Sequence, residues 1–232
     1  DLFEMLCGAR LLYNYIWPGG VSHDLPPKFI QYTTEFLDYF EPMLKEYHQI
    51  LTGNLIFVER TADVGIITPE VGVNFGVSGP SLRGSGIKHD LRKDEPYSIY
   101  DRFDFEVPVG TGMMGTVGDC WDRYWVRMKE MEESIKILRQ AIKQLPEGNV
   151  HEVMPKKIRP NVGEVYSRYE SARGDVGFYI ISDGKNIPQR VKMRSPAFCN
   201  LSVFSEISEG WMISDVITIL GSLDIVLGEI DR

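Results

Sequence analysis

The segment GSLDIVLGEIDR (221–232) mixes residue types that can do chemistry together. Asp224, Glu229 and Asp231 can hold or pass protons, and Leu223, Ile225, Val226 and Leu227 around them are aliphatic. Polar, loosely held residues are what a frayed segment usually carries. Aliphatic residues interleaved with acids instead read as a packed segment with its acids facing loops, or as the lining of a pocket.

Other stretches imitate known chemistry and fail on context. GTGMMG (110–115) matches the dinucleotide pattern GxGxxG, but one long helical pattern follows where a short helix and a parallel strand are needed. A loop is the reading that remains. GPSLRGSG (79–86) places Ser85 and Gly86 where a phosphate loop needs Lys and Ser/Thr, so no cation meets the phosphates. His23, His48, His89 and His151 fall in separate segments, and Cys7, Cys120 and Cys199 make no CxxC, so no metal cage is expected. RGD (173–175) reads as a turn at the entry to a strand.

The bulk numbers agree with an ordinary globular chain. Of 232 residues, 43% are hydrophobic and 25% charged, enough to bury a sizeable core in a single domain over 1–232. Net charge is −8, which argues against broad nucleic-acid binding; Lys156, Lys157 and Arg159 form the one short basic cluster and read as a solvated loop. Sparse, odd cysteines suggest a reducing compartment. No apolar run reaches the ~18 residues of a membrane helix, and none reads as a signal peptide. The chain opens at Asp1 inside an apolar helical pattern. The expectation is a fragment, a processed product or a truncated form, with an N-terminal part missing.

These residues must be positioned by elements that periodicity outlines. Helices are expected over 2–16, 28–51 with a kink at Pro42, 119–145, and 206–220, with short helices and turns over 54–80. The helix at 119–145 carries the clearest stripe, from Tyr124 through Met128, Met131, Ile135, Leu138 and Ile142, with Asp119 as its cap. FDFEVPV (103–109) alternates like a short strand, and VGFYII with QRVKMR make a hairpin around SDGKN. The fold class is mainly α with a small antiparallel sheet, α+β.

Five stretches, in order, add a resemblance. CGARLLYNYIWPGGVSHDLP (7–26), SGPSLRGSGIKHDLRKDEPYSIYDRFDFEVPVG (78–110), GDCWDRYWVRMKEMEESIKI (118–137), GFYIISDGKNIPQRVKMRSP (177–196) and LGSLDIVLGEIDR (220–232) together resemble the D subunits of the proton-pumping NADH:quinone oxidoreductases, respiratory complex I. RGSG with DLRK, DRY in the long helix and the final GEIDR are specific in combination. The resemblance covers nearly the whole chain.

What it implies is a nickel–iron hydrogenase large-subunit-like fold without the metal. The hydrogenase ends in a DPCxxC-like motif; aligned on Asp224, Ile225 replaces the Pro, Val226 the first Cys and Glu229 the second, so the thiolates are gone. The family carries its quinone chamber near that old metal site. Asp224, Val226 and Glu229 are therefore the expected chamber-lining residues, with no catalytic residue assigned, because the family's Tyr and His head-group ligands precede Asp1. The chain would be inactive alone. It would bind neither NAD nor metal, face a 4Fe-4S cluster on the small iron–sulfur (B) partner, and contact the B, C, I and H subunits of complex I. Its place would be the peripheral arm on the cytoplasmic side of the inner or plasma membrane. A related ferredoxin- or other donor-fed enzyme, or a non-catalytic assembly scaffold, are the alternatives.

Two departures bear on the substrate. Leu12 stands where many relatives have a His near the terminal cluster, and Trp17 where many have an Arg. Loss of a protonatable neighbour lowers the expected cluster potential, which suits a low-potential quinone such as menaquinone. Arg83, Asp90, Arg92, Lys93, Asp122 and Arg123 are expected to hold loops together as an internal ion-pair network, and Asp231 and Arg232 to anchor the end.

Overall fold

A computed structural model describes residues 1–231. Its elements, in chain order, begin with α1 (Leu2–Cys7), the two-residue strands β1 (Ile16–Trp17) and β2 (Gly20–Val21), and α2 (Phe29–Tyr47). A π turn over His48–Thr52 follows, then the short helices α3 (Leu55–Thr61), α4 (Pro69–Asn74), α5 (Gly79–Gly84) and α6 (Leu91–Asp94). The long helix α7 (Cys120–Lys143) leads to β3 (Gly163–Ser171), β4 (Gly174–Ser182) and β5 (Arg190–Arg194). The chain then forms α8 (Pro196–Ser202), α9 (Phe204–Ser208), α10 (Ile213–Leu223) and α11 (Leu227–Ile230). The fold is α+β, as expected.

Helix α7 is the axis. Asp119 caps it by accepting the Asp122 N–H at 2.8 Å, and the same carboxylate accepts the Asp63 N–H at 2.9 Å. Its far half packs Met128 and Ile135 against Leu37 and Leu44 of α2. Its near half joins Cys120 to a core of Val64, Ile67, Val77, Leu82, Val203, Ile207, Ile219 and Leu223, drawn from residues 64–82 and 203–223. The sheet is antiparallel in the order β3-β4-β5.

Several expected elements come out differently. The first helix stops at Cys7 rather than Ile16, because Gly8 takes a left-handed φ of 72° and turns its N–H back to Glu4 O; Leu12, at φ 57°, is almost fully exposed. Pro42 sits inside α2 without ending it, and the helix end is the π turn. Residues 103–109 are not a ladder strand. Phe103, Phe105 and Val107 are buried in the expected alternation, but the backbone bonds are made by α7 side chains. Gln140 Oε1 accepts the Asp104 N–H at 2.8 Å, and Glu133 Oε2 accepts the Glu106 N–H at 2.9 Å. The hairpin of β4 and β5 gains a third strand, β3, paired with β4 along its whole length from Gly163↔Ser182 to Ser171↔Gly174. The single helix expected over 206–220 is two, broken at Gly210 with φ 84°.

The glycine loop 110–118 does cradle an anion, but it is the chain's own. Buried Asp122 accepts the Gly112 N–H at 3.0 Å and the Gly118 N–H at 3.3 Å. A Cβ at Gly110 would lie 1.9 Å from Gly84 O, so the two glycine-bearing stretches touch backbone to backbone.

Candidate functional site

A cavity of about 500 Å³ lies between α3, α7 and α10. Phe57 and Thr61 come from α3, Cys120, Tyr124 and Arg127 from α7, and Asp224 from the end of α10. The helical period makes this wall: 120, 124 and 127 recur at four and three residues and share one face. Phe57 meets the Tyr124 ring edge-on at 4.8 Å between centroids, giving the cavity an aromatic side.

Asp224 caps α10 in the left-handed conformation, φ 52° and ψ 56°. Short polar residues tolerate that region. Its Oδ2 lies 3.7 Å from Arg127 Nε and its Oδ1 3.5 Å from Arg173 Nη2, and its carbonyl accepts the Arg173 Nε–H at 3.2 Å. Of the RGD stretch, Arg173 lies in the turn between β3 and β4 and reaches Asp224, while Gly174 and Asp175 already belong to β4. Arg127 donates to Arg123 O at 2.9 Å, while its Nε is buried without a hydrogen-bond partner. Burial lowers its pKa to about 10, with Asp224 acting in the opposite direction. The arrangement is a polar pair beside an aromatic side, with Thr61, Thr218, Cys120, Gly221 and Ser222 completing the lining.

The other two expected residues lie apart. Val226 is half-buried at the start of α11 and is not among the residues lining this cavity. Glu229 reaches the N-terminus of α8, where its Oε2 accepts the Ser195 hydroxyl and the Ala197 N–H, each at 3.1 Å. That position favours a carboxylate. Asp231 is exposed, and Arg232 lies outside the described residues. Tyr124 and Arg127 join the site without having been expected there, although the spacing CWDRYWVR shows that both follow Cys120 on one face.

On the other side of Arg127 is a second cavity, of about 530 Å³, lined by Arg83, Arg92, Arg127, Glu130 and Glu170 among others. Here the ion-pair network takes form. Arg83 Nε donates to Glu130 at 2.6 Å and Nη1 to Glu170 at 2.9 Å, with Asp90 3.7 Å away. Arg92 pairs with Asp90 at 2.6 Å. Burial opposes the charge on Arg83, but Glu130 and Glu170 outweigh it and hold its pKa above the ordinary value. Burial likewise opposes the Asp90 charge, and Arg92 and Arg83 reverse the outcome and lower its pKa; for Glu170, burial wins and its pKa is raised.

Arg123 and Asp122 stand apart from this network. Arg123 is fully buried and spends its donors on Gly118 O, Gly65 O, Cys120 Sγ and Ser222 Oγ, at 2.6 to 3.1 Å. Among the described residues, no group of three or more His, Cys, Asp or Glu is placed to hold a metal ion, and no helix is long and apolar enough to cross a membrane.

Comparison with known proteins gives a consistent result. A family described as "Respiratory-chain NADH dehydrogenase, 49 Kd subunit" matches residues 1–161 and 151–232. The chain is 52% identical to the D subunit of the NADH-quinone oxidoreductase of Chlorobaculum tepidum over 236 residues, covering all of this chain and 59% of that protein. It is 52% identical to the corresponding subunit of Pelodictyon phaeoclathratiforme, with the same coverage, and 49% identical to that of Desulforamulus reducens, 62% of which it covers. The chain thus spans about three-fifths of the length of these curated relatives.

Proposed function

Because the chain belongs to the family of the 49-kDa subunit of respiratory-chain NADH dehydrogenase, we propose that its α3–α7–α10 cavity is one wall of a quinone-reduction chamber. The observation that carries this reading is the Asp224–Arg127 pair facing an aromatic side in a space of about 500 Å³. A quinone ring and its tail need an apolar path, and the head group needs a few hydrogen-bonding or titratable partners. Phe57 and the Tyr124 ring supply the first; Asp224 and Arg127 supply the second. Val226 and Glu229 remain proposed as chamber neighbours beyond this cavity, Glu229 through the α8 terminus it caps.

In this reading the chain is a subunit of an NADH:quinone oxidoreductase that couples quinone reduction to proton pumping. Electrons arrive from a 4Fe-4S cluster on the small iron–sulfur (B) partner, and the B, C, I and H subunits cover the exposed faces. The complex associates the chain with the cytoplasmic side of the membrane as part of the peripheral arm. Leu12, which is exposed, leaves the cluster side without a protonatable group at that position and suits a low-potential quinone such as menaquinone.

Substituting Asp224 tests the reading. In the fully assembled complex, Asp224→Asn keeps the left-handed cap conformation, since Asn also adopts it. It removes the charge facing Arg127. Quinone reductase activity is expected to fall, or inhibitor sensitivity to change, while electron delivery to the last iron–sulfur centre persists. Unchanged quinone kinetics would make the chain a docking scaffold instead.

A further inference from the structure

Tyr124 has a second face. Its ring walls the cavity, and its hydroxyl lies 3.0 Å from Thr52 Oγ1. Thr52 Oγ1 lies 2.8 Å from His48 Nδ1, and His48 Nε2 lies 3.3 Å from Glu132 Oε1. His48 and Glu132 line a separate cleft of about 280 Å³ together with Glu41, Lys45, Lys136 and Arg139. Four side chains, each able both to accept and to release a proton, thus form one unbroken hydrogen-bonded row from that cleft to the cavity wall.

The backbone is shaped to make this row. His48 and Thr52 are the first and last residues of the π turn that ends α2. Single π turns are rare, and they recur at functional sites because the wider turn re-aims side chains. The imidazole is further held by Trp125, whose ring lies edge-on at 5.6 Å. Glu132 is also held by Lys129 at 3.0 Å. None of these contacts is needed to explain the packing of α2 on α7, which Leu37, Leu44, Met128 and Ile135 already provide.

We propose that Glu132, His48, Thr52 and Tyr124 are a proton relay that supplies the cavity from the surface cleft. The proposal rests on the cavity being the quinone-chamber wall. Reduction of a quinone to a quinol takes two electrons, from the partner subunit's iron–sulfur cluster, and two protons. For each proton, Glu132 takes up one from water in the cleft and passes it to His48 Nε2. The carboxylate left behind steadies the imidazolium. His48 Nδ1 releases its proton to Thr52 Oγ1, and the Thr52 hydroxyl proton moves to Tyr124 Oη. The Tyr124 proton passes to the reduced head group, directly or through a water in the cavity. One proton enters at Glu132 for each that leaves at Tyr124, and return of the imidazole to its starting tautomer, with rotation of the Thr52 and Tyr124 hydroxyls, resets the row. Tyr124 is the member at the cavity; the other three act through it.

The test uses the assembled membrane complex carrying the full-length chain. His48→Gln keeps hydrogen bonding but cannot carry a proton through its ring, and Thr52→Val removes the hydroxyl at nearly constant shape. Each is expected to lower kcat for quinone reduction by about 100-fold, the lower end of what a proton-transfer group contributes. KM for quinone and reduction of the iron–sulfur centres by NADH are expected to stay unchanged, and the solvent deuterium isotope effect on kcat to grow. Thr52→Ser restores the hydroxyl and is expected to restore the rate, which a purely packing role for Thr52 would not require. Asp224→Asn is measured alongside. An impaired Asp224 variant beside unimpaired His48 and Thr52 variants overturns the relay and leaves the chamber standing; if all three are unimpaired, both fall. If the His48 variant fails to assemble, the Thr52→Val and Thr52→Ser pair decides.

Discussion

Arg83 has three carboxylates within 4 Å, and it is itself almost wholly buried. Replacing it with Met would leave Asp90, Glu130 and Glu170 facing one another with Arg92 and, on the Glu130 side, Arg127 to balance them. Breaking a buried pair in this way typically costs about 3–5 kcal/mol. Thermal or urea unfolding of Arg83→Met should show a loss of that order. The same network sets a pH dependence of opposite sign at two residues. The pKa of Asp90 is lowered by folding, so its contribution is present above the unfolded carboxylate value and is lost as pH falls through the lower folded value. The pKa of Glu170 is raised, so its contribution is present below the unfolded value and is lost as pH rises through the folded one. Asp90→Asn should therefore lessen the steepness of acid unfolding below about pH 4, and Glu170→Gln should flatten the decline on the side above it. Urea midpoints across pH measure both. The residue scale is partly legible in the sequence. Asp224 is reached only through the resemblance, by alignment with the DPCxxC-like motif, and Arg83, Asp90 and Arg92 through the RGSG and DLRK stretches that carry it. Glu130 and Glu170 are not singled out, since their Arg83 partner lies 47 and 87 residues away, a distance no local pattern spans.

At the scale of elements, α7 is the most legible, because a cap, a long stripe and a polar stop all agree. Its cap does double duty. Asp119→Ala removes the acceptor for both the Asp122 and the Asp63 N–H, and a loss at the upper end of the usual cap effect, about 2 kcal/mol, is expected in unfolding measurements. Asp119→Asn keeps an acceptor and should cost less. The elements that differ from expectation share a cause. The stretch 103–109 has the alternation of a strand, but the groups that complete its backbone are Gln140 and Glu133 on a helix, which periodicity does not reveal. The first helix and the last read too long because apolar spacing continues past a glycine, Gly8 or Gly210, that takes a positive φ. The third strand, β3, escapes notice because its residues are mostly exposed and carry no buried period.

The whole molecule is tied together by its distant parts. Residues near 64–82, 120, 203–207 and 219–223 share one core, so the segment after Met212 is integral to it. Removing residues 213–232 would strip Ile219 and Leu223, both fully buried, and at about 2–5 kcal/mol for each large apolar side chain the loss is comparable to the roughly 5–15 kcal/mol by which a fold is stable. Loss of near-ultraviolet circular dichroism and of a cooperative thermal transition is the expected outcome. Exposed apolar residues on the sheet, among them Val165, Tyr169, Val191 and Met193, and others on α1 and α2, support the proposal that other subunits cover these faces. Arg123 adds a constraint in time. Its guanidinium donates to Gly65 and Gly118, both made before it, and to Ser222, made 99 residues later. During translation the helix bearing this charge emerges long before the hydroxyl that completes its shell. Until Ser222 is made, Arg123 lacks one of the four acceptors that complete its burial.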